Sequence, residues 1–480
     1  MKVMFLEPPA VTARSPERFA GCTYELYHFP DLGNLYAFTM LHERGVEVDY
    51  LDASLLGDDE AAFTERLRAG PVDYLVLHAV VLAKPTDKHW IAKLRQLRPE
   101  ATILVHGPEA TRVPEEYIGT DPKVVVIRGE MERALTELVL GEMQAPYGLS
   151  RFEPEQGKVV TYDPDPRGYI PFDDLPIPAR DHPSLDRYKH RYFNPKYQGR
   201  PHALVLTSRG CSFRCSFCVP NAISFSREME GFRTLGRKPP VTKASPARIE
   251  AEFRWLKEHG YKSLHIADDQ FLWAKKRTLE ICERVAPYQL EWGMLSRADF
   301  LTDEEVVAAL AKAGCRSIDI GVESLKQDVL DRINKDLDVR DVYTAIRLLR
   351  KHGISPKLNI MFGTTPDETP EDILWTLREL KQLDITNVMF AIATPFKGTA
   401  FFDYCKENGY LIDETDDLNP MGKAMISYPQ LTNEKLEELE RHAYRTFYLR
   451  PKVIANRLSR LRSVKDLVND LRVAKRVLLH

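Results

Sequence analysis

The chain has 480 residues, of which 44% are hydrophobic and 29% are charged, the composition of an ordinary globular protein. Its 67 Lys and Arg residues against 70 Asp and Glu residues give a net charge of −3, which excludes a generally basic nucleic-acid-binding surface. No apolar stretch reaches the roughly 20 residues of a membrane span, and the first residues, MKVMFLEPPA, lack the apolar core of a signal peptide. We therefore expect a cytoplasmic, enzyme-like protein without a nucleic-acid partner.

Residues 1–145 alternate between short apolar segments and helical patterns. The predicted strands are KVMFLEPP, GVEVDYLDA, DYLVLHAVV, TILVHGP and KVVVIRGE. Short, nearly continuous apolar strands between helices predict a parallel sheet covered on both faces. This is a doubly wound domain, whose ligands bind beyond the carboxyl ends of the strands. The dinucleotide fingerprint GxGxxG is absent from the sequence.

Residues 146–200 are rich in proline and aromatic residues, with six prolines within residues 163–188. Such a segment cannot form a regular helix or a central strand, so we interpret it as an ordered linker. Residues 201–400 return to alternation, with six predicted strands: HALVLTSRG, KSLHIADD, EWGMLSRAD, SIDIGVES, KLNIMFG and NVMFAIATP. Six β/α units predict an incomplete barrel with its site at the carboxyl ends of the strands. Residues 401–480 are predicted to be mostly helical.

Three of the seven cysteines, Cys211, Cys215 and Cys218, lie within eight residues directly after a predicted strand. Thiolates are soft ligands that suit iron–sulfur clusters or zinc. A structural zinc site usually has four protein ligands, but no fourth Cys or His lies close to the motif in the sequence, where His202 upstream is the nearest histidine. Three ligands on a four-iron cluster would leave one iron open for a substrate or cofactor. The alternatives are a zinc knuckle or three structural cysteines.

The spacing Cys-x3-Cys-x2-Cys after the first strand of a partial barrel resembles the radical S-adenosylmethionine (SAM) superfamily. The chain order resembles the branch with an N-terminal cobalamin-binding domain. Five further stretches are similar to that branch: Phe29-Pro30-Asp31-Leu32-Gly33, Gly107-Pro108-Glu109-Ala110-Thr111, Arg128-Gly129-Glu130, Asp174-Leu175-Pro176 and Phe447-Tyr448-Leu449-Arg450-Pro451. The resemblance implies a flavodoxin- or Rossmann-like cobalamin-binding domain (1–145), a linker (146–200), a partial (β/α)6 TIM-type radical SAM barrel (201–400) and a helical C-terminal domain (401–480).

The resemblance also implies a chemistry. The cofactors would be a [4Fe-4S] cluster, SAM and cobalamin, and the cluster would cleave SAM to a 5′-deoxyadenosyl radical. The leading function is methyl transfer to an unactivated carbon through methylcobalamin. The alternatives are a non-methylating radical enzyme, catalysing ring formation, ring contraction or oxidative rearrangement, and a front domain that is an empty scaffold for a partner or lipid. An external one-electron reductant of the flavodoxin or ferredoxin type is expected.

Several residues are candidates for holding SAM. Asp268 and Asp269 end the second barrel strand, where carboxylates can accept hydrogen bonds from an ammonium group; alternatively they cap the next helix. Arg297, Asp299 and Glu323 close the next two strands, where they bind the cofactor or form paired charges at the barrel rim. Gly363 would let the backbone approach the adenosyl group closely; the alternative is that it only forms a turn. Phe217, between two cluster cysteines, would contact adenine by family analogy or serve in packing.

The candidates for cobalamin binding are Gly107, Pro108, Gly129 and Glu130. Many cobalamin proteins supply a histidine to cobalt from an Asp-x-His-x-x-Gly motif, but the stretch 52–57, DASLLG, has none. His78, at the end of DYLVLHAVV, is the nearest rival, although a histidine there is more often a packing residue.

The last 40 residues carry eleven Lys and Arg residues and two Asp and Glu residues. Their apolar residues recur at roughly helical spacing, which predicts a helix packed on the barrel with a basic outer face. The alternative is a peripheral contact with an anionic membrane surface, which would fit a lipid or another apolar substrate rather than a polar small molecule.

Overall fold

The computed structural model describes residues 1–11, 29–57, 59–192, 194, 196–219, 222–414 and 422–458. The described residues divide into two compact units. The first comprises those within 1–211, 219–271 and 287–291, and the second those within 212–218, 272–286 and 292–480. The four-segment division at residues 145, 200 and 400 remains a prediction.

The first unit begins with a seven-stranded sheet in the order β2-β1-β3-β4-β5-β6-β7. Its elements are β1 (Lys2–Glu7), α1 (Leu32–Glu43), β2 (Glu47–Asp52), α2 (Ala53–Leu56), α3 (Glu60–Arg68), β3 (Tyr74–His78), α4 (Lys84–Leu97), β4 (Thr102–His106), α5 (Pro108–Arg112), α6 (Pro114–Ile118), β5 (Val124–Ile127), α7 (Glu132–Leu140), β6 (Leu149–Glu153) and β7 (Lys158–Thr161). Strands β1–β5 pair in parallel, which confirms the doubly wound domain. The hairpin β6–β7 continues this sheet in antiparallel pairing, inside the segment that the sequence suggested was a linker.

Local signals explain where these helices begin and end. The Asp31 side chain accepts a hydrogen bond from the backbone N–H of Asn34 and starts α1. Asp52 caps α2 in the same way, and Gly57 ends that helix in the left-handed conformation with φ 73°. The stretch 52–57 is therefore a capped helical turn.

The remaining chain contains a six-stranded sheet in the order β15-β14-β13-β12-β11-β8 and a two-stranded sheet of β9 and β10. The elements are α8 (Pro183–Asp186), β8 (His202–Val205), β9 (Ser208–Arg209), α9 (Ala222–Leu235), β10 (Thr242–Lys243), α10 (Pro246–Glu258), β11 (Ser263–Ile266), α11 (Lys275–Val285), β12 (Glu291–Ser296), α12 (Glu304–Lys312), β13 (Cys315–Glu323), α13 (Gln327–Arg332), α14 (Val339–Lys351), β14 (Ser355–Phe362), α15 (Pro370–Gln382), β15 (Asn387–Ile392), α16 (Ala400–Glu407), α17 (Asn433–Tyr448) and α18 (Pro451–Leu458). The pairing is parallel for β8 with β11 and for successive strands from β12 to β15. The six predicted β/α units are thereby confirmed.

Helix α17 covers the edge strand β15 with two tyrosine hydroxyl groups. The Tyr444 hydroxyl accepts from the N–H of Phe390 (3.2 Å) and donates to its carbonyl (2.8 Å). Tyr448 does the same at Val388, at 3.1 and 2.6 Å. The two side chains therefore satisfy backbone groups that an uncovered sheet edge would leave unpaired.

None of the helices in the described part of the chain combines the length and the apolar character needed to cross a membrane. Of the basic last 40 residues, 441–458 are described and lie largely in α17 and α18. Residues 459–480 lie outside the described residues, as does Cys22.

Candidate functional site

The segment that leads into the cysteine motif is held by a carboxylate at the end of β11. Asp268 is 2% exposed. Its carboxylate accepts hydrogen bonds from the Thr207 N–H (2.6 Å), the Thr207 hydroxyl (2.5 Å) and the Ser208 hydroxyl (2.8 Å). Burial raises the pKa of Asp268 to about 7, although these donors oppose the shift. Both oxygens of Asp268 are thus engaged by the chain itself.

Asp269 holds the next part of the same segment. The backbone N–H of Gly210, at φ 93°, donates to the Asp269 carboxylate (3.1 Å) and to the Ser224 hydroxyl (3.0 Å). The Cys211 thiol lies 3.6 Å from the side-chain oxygen of Gln270. Residues 268–270 therefore fix the backbone immediately before the first cysteine of the motif.

In the second unit, the loop carrying the other two cysteines packs on residues from distant elements. The guanidinium carbon of Arg297 lies 3.6 Å from the centre of the Phe213 ring. The Ser216 N–H donates to the Ile333 carbonyl (3.0 Å), and the Ser216 carbonyl accepts from the Phe401 N–H (2.9 Å). Phe217 is half-buried.

Arg297, Asp299 and Glu323 come together around Lys335, a residue that the sequence analysis did not single out. Arg297 donates to Asp299 (3.0 Å) and to the Lys335 carbonyl (2.5 Å). The Lys335 ammonium lies 2.9 Å from Glu323, whose φ of 65° follows a register shift between β13 and β14. Burial opposes the charge on Lys335, but the negative charge of Glu323 raises its pKa above the ordinary value. The only sequence signal was the turn Asn-Lys-Asp, whose outer residues tolerate the left-handed conformation.

Gly363 closes β14 with φ 73°. Its N–H donates to Glu368 (2.6 Å) and its carbonyl accepts from the Tyr428 hydroxyl (3.0 Å). A Cβ at this position would lie 3.0 Å from Leu436, so the backbone is closely packed here. Burial raises the pKa of Glu368 to about 7. The strand end at Gly363 is consequently fixed from both sides.

The three motif thiols are not in disulfides: Cys211 and Cys215 are half-buried and Cys218 is exposed. Among the described residues, no group of three or more His, Cys, Asp or Glu side chains is placed to hold a single metal ion. A four-iron cluster does not require that convergence, because each cysteine binds a different iron. Three accessible thiols on one loop therefore fit such a cluster. The remaining described thiols, Cys282, Cys315 and Cys405, are buried.

A buried polar group lies at the carboxyl ends of β3 and β4 in the first sheet. His78 lies 3.1 Å from the carboxylate of Asp31. The His106 ring nitrogen is 2.8 Å from the Asn34 side-chain oxygen, and the two imidazoles stack at 4.8 Å. Burial opposes the charge on Asp31, but the two histidines and the N–H of Asn34 hold its pKa well below the usual range. In a doubly wound sheet this edge is where ligands bind.

The predicted cobalamin contacts lie at the same edge. Gly107 has φ 106°, and a Cβ there would lie 2.4 Å from the His78 ring and 2.5 Å from the Ala79 carbonyl, so only glycine fits. Pro108 begins α5. Gly129 has φ 66°. The Glu130 carboxylate lies 3.2 Å from both Arg209 and Arg227, so it faces the protein interior.

Two known protein families match this chain, one at its front sheet and one at the segment that contains the cysteine motif. The B12 binding domain family matches residues 25–139, and the Radical SAM superfamily matches residues 205–380. The chain carries a B12 binding domain followed by a radical SAM domain. The family therefore agrees with the fold of each sheet and with the position of the cysteine motif.

Proteins similar to this chain include several kinds. An uncharacterized methyltransferase of Pyrococcus horikoshii is 29% identical over 466 residues, covering 95% of this chain and 94% of the relative. The anaerobic magnesium-protoporphyrin IX monomethyl ester cyclase of Rubrivivax gelatinosus is 24% identical, covering 77% of this chain and 64% of the cyclase. The structure of the radical SAM methyltransferase TsrM from Kitasatospora setae, with cobalamin and a [4Fe-4S] cluster bound, has a TM-score of 0.65 at 19% identity, covering 91% of this chain and 84% of TsrM. The last likeness is one of fold.

Proposed function

We propose that this radical SAM enzyme is a cobalamin-dependent methyltransferase that acts on an unactivated carbon of a small molecule. The observation that carries the proposal is the union of the two domains in one chain, together with similarity over 95% of its length to a protein named as a methyltransferase. When bound, the cluster would supply one electron to SAM and cobalamin would carry the methyl group that is transferred.

The cluster side of the site would be held by Cys211, Cys215 and Cys218. The protein's contribution is to fix these thiols before a cofactor arrives. Asp268 does so through Thr207 and Ser208, because its oxygens already accept three hydrogen bonds from them. In this proposal Asp268 is a positioning residue, and direct contact with the ammonium group of SAM is assigned to Asp269.

The rest of the SAM site would be formed by strand ends of the second unit. Lys335 and Arg297 are buried cations, each paired with a carboxylate, that can receive the carboxylate group of SAM. Glu323 and Asp299 would accept hydrogen bonds from ribose hydroxyls. The backbone at Gly363 and the ring of Phe217 would pack against the adenosyl group.

The cobalamin side would be formed by backbone at Gly107, Pro108 and Gly129, where the strands β4 and β5 end. Since the Glu130 carboxylate is engaged by Arg209 and Arg227, Glu130 would contribute through its main chain. His78 is covered by Gly107 and neighbours Asp31, so we do not assign it as a cobalt ligand.

The second candidate is a radical enzyme of the same architecture that does not methylate, and the similarity to cyclases favours it. In either case the enzyme needs an external one-electron reductant of the flavodoxin or ferredoxin type. We propose a cytoplasmic location and a small-molecule substrate. A lipid substrate, with peripheral membrane contact by the basic tail, is the alternative that vesicle binding would reveal.

The deciding experiment is anaerobic purification with cobalamin supplied, followed by counting iron, sulfide and cobalt per chain. About four irons and one cobalt are expected. The loaded enzyme is then incubated with SAM, a reductant and candidate substrates. S-adenosylhomocysteine together with 5′-deoxyadenosine supports methylation, whereas 5′-deoxyadenosine alone supports the second candidate. Four irons without cobalt would refute the cobalamin-dependent reading.

A further inference from the structure

A buried charge network joins the segment before Cys211 to the loop after β5. Arg209 lies two residues before Cys211. Its guanidinium group is 3.2 Å from Glu130 and 2.5 Å from Glu132, and all three side chains are at most 4% exposed. The rings of Tyr36 and Phe172 lie 5.4 and 5.7 Å from the guanidinium carbon. Arg209 is thus held by two carboxylates and two aromatic rings.

Arg227 closes the network around the backbone of Arg209. It lies 3.2 Å from the second oxygen of Glu130 and donates to the Arg209 carbonyl (3.2 Å) and the Thr242 hydroxyl (2.9 Å). Thr242 is the partner of Arg209 in the β9–β10 pairing. Both the side chain and the main chain of Arg209 are therefore fixed.

A third pair completes the arginine–glutamate network, which we define as Arg128, Glu130, Glu132, Arg209, Arg227 and Glu230. Arg128 donates to Glu230 on α9 at 2.8 Å, and both side chains are buried. These six residues carry three positive and three negative charges, and Glu230 also pairs with the partly exposed Arg233 (2.9 Å). Buried ion pairs lose most of their Coulombic gain to desolvation, so stability alone is a weak reason for six such residues at one place.

The opposite side of the same segment is held by Asp268 and Asp269 at the end of β11. Residues 207–210 therefore form a short link with the arginine–glutamate network on one side and the barrel strand end on the other. The loop 128–132 is the part of the front domain that the proposed function assigns to cobalamin.

We propose that the arginine–glutamate network couples cobalamin binding to the segment that enters the cluster loop, with Arg209 as its central positioning residue. Cobalamin contacting the loop at Gly129 fixes Glu130 and Glu132, and these carboxylates fix Arg209 and the backbone of residues 207–210. This inference rests on the proposed function, because it requires cobalamin at the loop 128–132.

The test is hydrogen–deuterium exchange of the full chain, free of the cluster, with and without hydroxocobalamin. In the wild type, cobalamin should slow exchange of the amides of residues 207–210 by about fivefold or more, the range of ordinary coupling between two sites. Arg209→Met should abolish that slowing while cobalamin still binds, as followed by its absorbance. Arg209→Lys keeps the charge and should retain part of it.

Two further variants make the outcome decisive. Arg180→Met is the matched control, because Arg180 is also buried and has one carboxylate, Glu252, and one backbone carbonyl, Leu204, as partners. In Arg180→Met, cobalamin should still slow amide exchange at residues 207–210. Arg209→Met leaves Glu132 without its cation and Glu130 with Arg227 alone, so if it fails to fold, the milder Glu132→Gln decides by the same readout.

The outcomes separate this inference from the proposed function. A wild-type chain that binds no cobalamin overturns both. Binding without slower exchange at residues 207–210, or slowing that persists in Arg209→Met or in Glu132→Gln, overturns the coupling alone. Loss of slowing in Arg180→Met would also overturn it, since any buried arginine would then have the same effect.

Discussion

Substitutions of Asp268 can test whether this carboxylate contacts SAM directly or instead positions the backbone of residues 207 and 208. Replacing it with alanine removes three hydrogen bonds, from the Thr207 N–H and the hydroxyls of Thr207 and Ser208. The hydroxyls can rotate toward other acceptors, but the buried N–H cannot. At about 1 kcal/mol for a typical bond and about 1–3 kcal/mol for an unsatisfied buried donor, Asp268→Ala should lower the free energy of unfolding by about 2–4 kcal/mol.

Asparagine is the matched variant, because it has the same shape without the charge. Its oxygen can accept from the Thr207 N–H while its amide donates to the two hydroxyls, which reverse their roles. We therefore expect Asp268→Asn to stay within about 1 kcal/mol of the wild type. If Asp268 is a positioning residue, SAM cleavage should fall about 10- to 100-fold in Asp268→Ala, through misplacement of the cluster loop, and remain close to wild type in Asp268→Asn.

Comparison of the wild type with Asp268→Asn also shows how much of the pH dependence of the free energy of unfolding comes from Asp268. The pKa of Asp268 rises from 3.8 to about 7 on folding, so the folded state binds a proton more tightly than the unfolded state. The resulting stability is complete below pH 3.8 and is lost as pH rises through 7. Urea unfolding of the cluster-free protein at pH 5, 6, 7 and 8 should show a decline in the wild type that is reduced in Asp268→Asn.

The assay for function is anaerobic formation of 5′-deoxyadenosine by enzyme with a matched iron content. Asp303→Asn, which changes a partly exposed helix-capping aspartate that pairs with Lys275, controls for loss of a carboxylate. A folded, iron-loaded Asp268→Asn enzyme that is as inactive as Asp268→Ala would refute the positioning role. It would assign the charge of Asp268 to direct contact with SAM.

Three other predictions follow from the described contacts. Cys215→Ala should fold but lack the absorbance of the four-iron cluster after reconstitution; a full iron count in that variant would remove Cys215 from the ligand set. Tyr444→Phe should lower the free energy of unfolding by about 2–4 kcal/mol, because the N–H and carbonyl of Phe390 lose their partner, whereas Tyr404→Phe at an exposed tyrosine should change it by less than about 0.5 kcal/mol. Lys335→Met should lower the free energy of unfolding by about 3–5 kcal/mol, because it leaves Glu323 buried without its cation. Adding Glu323→Gln should recover much of that loss. A double variant no more stable than Lys335→Met would contradict the pairing.

The sequence by itself determined the features that depend on local pattern. The alternation of apolar strands and helices predicted the two sheets of mainly parallel strands. Strands buried on both faces are continuously apolar, and capping residues mark where helices begin and end. The cysteine spacing predicted a cluster motif, since three cysteines within eight residues are visible in the sequence without knowledge of the fold. Within the segment predicted to be a linker, residues 149–161 form a β-hairpin that extends the first sheet. The sequence analysis missed it because these short, half-buried strands have too weak a periodicity to be recognised alone.

Only the tertiary structure decided which charged side chains meet. Arg209 and Glu132 are 77 residues apart in the chain, and Thr207 and Asp268 are 61 apart, so no spacing rule connects them. A buried charge takes whatever partner the folding of distant elements brings within about 3 Å, and it must take one because burial without a partner is costly. The sequence could thus place Asp268, Glu130 and Glu323 at strand ends, but packing alone determined that each of them faces the protein's own donors.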